Sequence, residues 1–128
     1  MQPKFSIIIP TRERHDTLPY AIQSVLNQTY SGFEIVVMDN CSTPETAIAV
    51  SKFTDDRIKY YRSSIRLSMD SNWELGLSHA SGEYIFVLGD DDAMLPDGLE
   101  LVDRLLAKYP VKIISWYRNQ YHWGNSQL

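Results

Sequence analysis

The sequence is short of cysteine, of glycine and of long apolar runs, and each shortage removes a class of function. The single cysteine, Cys41, permits no intramolecular disulfide and no Cys-rich zinc site. A reducing, cytoplasmic setting is the expectation that goes with it. No stretch approaches the roughly 20 apolar residues of a membrane span. Met1-Gln2-Pro3-Lys4 runs straight into a strand-like segment, leaving no room for a signal peptide. A longer parent chain remains free to associate with a membrane through other segments. Glycine is scarce where phosphate-binding loops need it: no G-x-G-x-x-G follows the first apolar run, and no G-x-x-x-x-G-K-[ST] occurs anywhere. Basic residues are outnumbered, 12 against 16 acidic, for a net charge of -4. That balance argues against nucleic acid as a partner.

What is present is a globular pattern of a size that fits one domain, residues 1–128. Phe5-Ser6-Ile7-Ile8-Ile9, Phe33 to Met38 and Tyr84 to Leu88 are short, β-branched, nearly continuous apolar runs, the signature of strands buried on both faces. Ile58 to Tyr61 reads as a shorter strand and Val111 to Trp116 as a fifth. Between them, Leu18, Ile22, Val25 and Leu26 recur at helical spacing, with Asp16 or Thr17 to cap and Pro19 in the first turn. Glu45 to Phe53, Asn72 to Ala80 (closed by Ser81-Gly82) and the segment carrying Leu99, Val102, Leu105 and Leu106 read as further helices. Arg62 to Ser71 reads as a loop. Strict β-α alternation predicts an α/β, Rossmann-like fold: a mostly parallel sheet with helices on both faces.

In such a sheet ligands bind beyond the carboxyl ends of the strands. The rule selects Pro10 to Arg14, Asp39 to Thr43 and Gly89 to Asp92. An acid at the end of the second strand commonly holds a nucleoside. With no glycine loop to cradle phosphate, Asp90-Asp91-Asp92 offers another route: carboxylates bind Mg²⁺ or Mn²⁺, and the ion binds a diphosphate. Three adjacent acids also repel one another unless a cation relieves them. The plainer reading is a solvated acidic turn. Arg12 and Arg14 have an equally plain reading as loop charges, and Asp39 as a helix cap. His15, His79 and His122 show no ligand spacing, and Cys41 reads as a packing residue. Trp73, Trp116 and Trp123 read as core or interface.

Five segments together resemble the nucleotide-sugar-binding half of inverting family 2 glycosyltransferases with the GT-A fold. They are Ser6 to Thr11 with Arg12-Glu13-Arg14; Ser24-Val25-Leu26-Asn27-Gln28-Thr29-Tyr30; Phe33 to Thr43; Gly76 to Ile85; and Leu88-Gly89-Asp90-Asp91-Asp92 with Pro96. The resemblance covers residues 5 to 106. It implies transfer, with inversion, of a hexosyl-type sugar from a nucleoside diphosphate (UDP by default) to an acceptor hydroxyl, in polysaccharide synthesis. It implies that Pro10, Thr11, Arg12, Glu13 and Arg14 line the nucleotide pocket. Asp39 would bind base or ribose, Arg66 would reach base or phosphate, and Asp90 would sit near the ribose. Asp91 would be the principal Mn²⁺ or Mg²⁺ ligand, with Asp92 close by, in the position of the DXD motif. Gly89 departs from the pattern: the family places its first acid there, seven residues before the proline. Glu74 stands where the family has an Asn, and Asn72 is a substitute one turn away. The resemblance also implies that the acceptor-binding part, with the catalytic base, lies downstream, so no base is assigned. A glycan or lipid-linked acceptor, membrane association of the full-length protein and a homodimer belong to the same set of expectations. A nucleotidyltransferase-like enzyme and a non-catalytic nucleotide-binding module are the alternatives.

Overall fold

The computed structural model describes residues 2–115. Eight elements alternate along them: β1 (Phe5–Thr11), α1 (Leu18–Leu26), β2 (Phe33–Asp39), α2 (Pro44–Ser51), β3 (Ile58–Arg62), α3 (Met69–Ser78), β4 (Tyr84–Val87) and α4 (Gly98–Lys108). Among the described residues the sheet has four strands in the order β3-β2-β1-β4, all parallel. The predicted α/β layering with helices on both faces is therefore present.

The two central strands owe their burial to composition. Every residue of β2 and all but Pro10 of β1 are buried, as expected when a continuous apolar run has helices on both sides. On one face Ile7, Ile9, Ile35 and Val37 pack with Leu18, Ile22 and Val25 of α1 and Leu99 and Val102 of α4. Each such side chain contributes about 1.5–3 kcal/mol by leaving water. On the other face lies α3, and it lies close. A Cβ at Gly76 would stand 2.9 Å from Ile8 Cγ2 and 3.3 Å from Met38 Cβ, so glycine is what lets the helix settle on the sheet.

Glu34, at the start of β2, is buried yet charged. Its carboxylate accepts hydrogen bonds from Ser6 Oγ (2.6 Å), Lys59 Nζ (2.6 Å), Ser81 N (2.6 Å) and Ser81 Oγ (2.8 Å). Burial alone would raise this carboxyl; the bonds from Lys59, Ser6 and Ser81 instead hold it down at about 2.

Two expectations need correction. Among the described residues the predicted fifth strand does not form: residues 111–115 join no ladder, and Trp116 lies outside the described residues. Pro110 ends the helical path, but a β-branched run becomes a strand only with a partner edge, and here Ile113 is 87% exposed. The third helix starts earlier than Asn72, at Met69, because Ser68 Oγ accepts the Ser71 N–H as an N-cap. It ends at Ser78, two residues before the expected Ala80. Gly82 instead passes against β1, where a Cβ would meet Ser6 N at 2.6 Å. The remaining element boundaries differ by a residue or two. No helix among the described residues is long and apolar enough to cross a membrane.

Candidate nucleotide-sugar site

The carboxyl ends of β1, β2 and β4 lie side by side, with Thr11 opposite Asp39 in the register. Pro10 shapes what happens next to them. The β1–β4 ladder runs to the bond from Leu88 N to Ile8 O (2.9 Å). The following bond would need an N–H from residue 10, which proline lacks. The chain after Leu88 is thereby released from the sheet, and it turns across the strand ends as Gly89-Asp90-Asp91-Asp92.

Within that turn the three aspartates face different ways. Asp90 points inward: Thr11 Oγ1 donates to its Oδ2 at 2.8 Å, and the Arg12 backbone N–H also donates to it. Burial raises its carboxyl above the ordinary range, the Thr11 bond and the Arg14 charge pull it down, and Asp91 pushes it up. Asp91 is half exposed and sits 3.5 Å from Arg14 Nη1. An exposed pair at that distance is worth about 0–1 kcal/mol, so a ligand can displace it at little cost. Asp92 folds back over Gly89. A Cβ on Gly89 would lie 2.6 Å from Asp92 Oδ2 and 3.3 Å from Asp91 Oδ1. The bare glycine thus leaves space into which two carboxylates lean.

The three acids therefore do not converge on one point. Among the described residues no three His, Cys, Asp or Glu side chains converge to hold a metal ion, because Asp90 is drawn away to Thr11. The pair at Gly89 does fit the donor chemistry of Mg²⁺ or Mn²⁺, which take one or two protein carboxylates and complete their shell with phosphate oxygens and water.

Asp39 is placed quite differently. Its side chain is fully buried. Ser42 N donates to Oδ1 (2.9 Å), Tyr60 Oη to Oδ2 (2.5 Å), and Arg62 Nε stands 3.9 Å away. Burial, then the bond to Asp39 and its negative charge, push the Tyr60 phenol well above its usual range. Glu13 is likewise engaged. It accepts from Thr43 N and Thr43 Oγ1, both at 2.9 Å, while its own N–H donates to Ser42 Oγ at 2.9 Å. Its φ is 54°, a left-handed conformation that costs a side-chain-bearing residue about 1–2 kcal/mol. The Arg12 and Arg66 side chains are exposed. Arg66 rides on a loop that Asn40 clamps from β2, by Asn40 Nδ2 to Leu67 O (2.9 Å) and Leu67 N to Asn40 Oδ1 (2.7 Å). Thr11, Asp90, Asp91 and Arg14 are thus brought together by direct bonds, Glu13 and Asp39 are tied to the second loop, and Arg66 borders that second loop.

Several contributors lie in segments that the sequence picks out, without site roles of their own there. Asn40, Ser42 and Thr43 build the second loop, and a run of Asn, Ser and Thr after a strand-end acid is the available signal. From α1, Ser24 Oγ accepts the Met94 N–H (3.1 Å), and just past that helix Gln28 reaches Leu95 O (2.6 Å) and the Leu99 N–H (2.9 Å). These bonds anchor the segment that follows the acids. In α3, Asn72 is buried and donates to Met38 O at 3.1 Å, whereas Glu74 is exposed.

The model of Glycosyl transferase family 2 matches residues 6–127. The chain belongs to glycosyl transferase family 2. Among relatives in this family, a GalNAc(5)-diNAcBac-PP-undecaprenol beta-1,3-glucosyltransferase of Campylobacter jejuni is 39% identical over 100 residues, covering 76% of this chain and 32% of the relative. A UDP-Glc:alpha-D-GlcNAc-diphosphoundecaprenol beta-1,3-glucosyltransferase of Escherichia coli is 33% identical over 103 residues, covering 80% and 41%. Among solved structures, S. aureus TarS 1-349 in complex with UDP superposes with a TM-score of 0.77 at 25% identity, over 82% of this chain and 32% of that one. A mannosyltransferase from Pyrobaculum calidifontis, solved with GDP-Man and Mn2+, gives a TM-score of 0.70 at 22% identity over 82% and 32%, a likeness of fold alone. The family 2 chain described here spans about a third of the length of the relatives it matches.

Proposed function

We propose that this chain is the donor-binding part of an inverting hexosyltransferase, a single domain over residues 1–128 that holds a nucleoside diphosphate sugar, UDP-linked by default. The observation that carries the reading is the junction of Thr11 with Asp90, which sets an acidic turn directly over the strand ends where a nucleoside pocket belongs. Pro10, Thr11, Arg12 and Arg14 line one side of that pocket. Asp39 supports its floor from beneath, Asp90 faces the ribose, and Arg66 approaches from the second loop. The E. coli relative uses UDP-Glc by name, and TarS was solved with UDP, which supports UDP as the donor nucleotide.

Asp91, with Asp92, would hold Mn²⁺ or Mg²⁺ beside the diphosphate. When bound, the ion supplies positive charge against that building on the leaving group. Arg14, once freed from Asp91, is positioned to add a second positive charge. In the transfer itself the acceptor hydroxyl oxygen bonds to the anomeric carbon as the bond from that carbon to the diphosphate oxygen breaks. The hydroxyl proton passes to a carboxylate base. The undecaprenol-linked sugars in the names of the two glucosyltransferases support a lipid-linked glycan as acceptor in a longer protein. Such a protein would work from the cytoplasm at a membrane surface. The exposed Ile85 and Val87 of β4 fit burial against the rest of that protein or a second copy.

Calorimetric titration with UDP-glucose, GDP-mannose and free UDP, each with and without Mn²⁺, tests the reading. Binding of one nucleotide that strengthens with Mn²⁺ is expected. Metal-independent binding, or no binding at all, would overturn it. A second reading is a nucleotide-binding module without turnover. Binding without product formation from UDP-glucose and a lipid-linked acceptor would select it.

A further inference from the structure

We infer that Glu13 is a positioning residue of the nucleoside pocket, acting through Thr43 and not by touching the nucleotide. The inference rests on the donor-site reading above and refines it. Among the described residues, Glu13 and Cys41 are the non-glycine residues with positive φ, 54° and 57°. One lies in the loop after β1, the other in the loop after β2, and those two loops flank the proposed pocket. Strained backbone persists only where the surroundings hold it, and here the holding groups are identified. Both Glu13 carboxylate oxygens are committed to a single residue, Thr43, one to its backbone N–H and one to its hydroxyl, each at 2.9 Å. The Glu13 N–H closes the bracket on Ser42 Oγ.

An exposed carboxylate that is only a surface charge stays solvated and makes no such two-point grip on another loop. Glu13 instead spends an acceptor position of each oxygen on that grip. Its two charge-assisted bonds fix the distance between the two loops, and hence the width of the slot between them. Ser42, the other end of the bracket, gives its N–H to Asp39 and its carbonyl to Arg62. The spacing is thereby referred back to the buried end of β2. The sequence alone puts Glu13 in the pocket wall; the bonds put it behind the wall.

The test compares Glu13→Ala, Glu13→Gln, Thr43→Val and the double variant Glu13→Ala/Thr43→Val in the full chain. UDP affinity in Mn²⁺ and hydrogen exchange of the Thr43 amide are the two measurements. Each single variant is expected to weaken UDP about tenfold, and the double variant no more than either single one, the mark of two groups acting as one unit. Thr43 amide exchange is expected to accelerate in both Glu13 variants. Thermal midpoints should stay near that of the parent chain, because the bracket lies at the surface. Unchanged UDP affinity in Glu13→Ala would overturn the inference. So would a loss confined to the Glu13 variants and additive with Thr43→Val, which would mean direct contact with the nucleotide. Unchanged Thr43 exchange would overturn it without any ligand. Failure of the parent chain to bind UDP or another nucleotide is a different result, which refutes the donor-site reading itself.

Discussion

Asp39 and Asp91 stand at the same edge of the sheet, one at the end of β2 and the other just past β4, yet the chain uses them in opposite ways. Asp39 is fully buried, with its oxygens taken by Ser42 and Tyr60 and Arg62 close by. Asp91 is half exposed and faces Arg14 at 3.5 Å. The residue type and the strand-end position are shared. The difference is made by desolvation and by the neighbouring donors. A buried carboxylate survives only with its bonds complete, so it becomes part of the frame. An exposed one in a weak ion pair contributes little to the frame.

The comparison breaks if both acids behave alike on substitution. Asp39→Ala strands a partly buried phenol and a buried N–H, and should cost about 3 kcal/mol of stability by urea denaturation. Glu34 offers the same test through pH. Its folded-state carboxyl is held at about 2, below its unfolded value. Its contribution is therefore full above the ordinary carboxylate range and is lost as pH falls toward 2. On the order of 2 kcal/mol should disappear over that window, and Glu34→Gln should flatten that part of the acid denaturation curve. Asp91→Ala, by contrast, should change stability by no more than about 0.5 kcal/mol while removing the Mn²⁺-dependent gain in UDP affinity. A melting temperature that fell as far as that of Asp39→Ala would end the distinction. The smallest effect is expected from Gly89→Ala. Its Cβ would meet the flexible ends of Asp92 and Asp91, so stability should hold and Mn²⁺-dependent binding should weaken only about threefold.

The fold was legible because β1 and β2 are continuous apolar runs, and runs of that kind have few places to go except the middle of a parallel sheet. The strand ends were legible for the same reason: a polar segment after such a run marks the edge where ligands bind. Residues 111–115 were misread because their β-branched composition records a preference and not a partner. The hydrogen-bond partners of Asp39 and Glu13 were hidden for another physical reason. Whether a carboxylate faces a ligand or a neighbouring loop depends on donors that are remote in sequence: Tyr60 for Asp39, and Thr43 for Glu13. Gly89 shows the same limit in reverse. In the sequence it is an acid missing from its expected place; in the structure it is the room that Asp91 and Asp92 lean into.

The bond from Thr11 to Asp90 joins residues 79 apart in the chain, and β4 reaches β1 only after β2 and β3 have been laid down between them in sequence. Contacts across so long a loop form late in folding, since the entropy of closing the loop must be met before the contact returns anything. A molecule that has paired only β1, β2 and β3 would already hold the Glu13 bracket and the Asp39 cluster, but no acidic turn above them. On the proposed function, competence to bind a metal-linked nucleotide would arrive with the last strand, and the time course of that binding during refolding would be a clock for completion of the sheet.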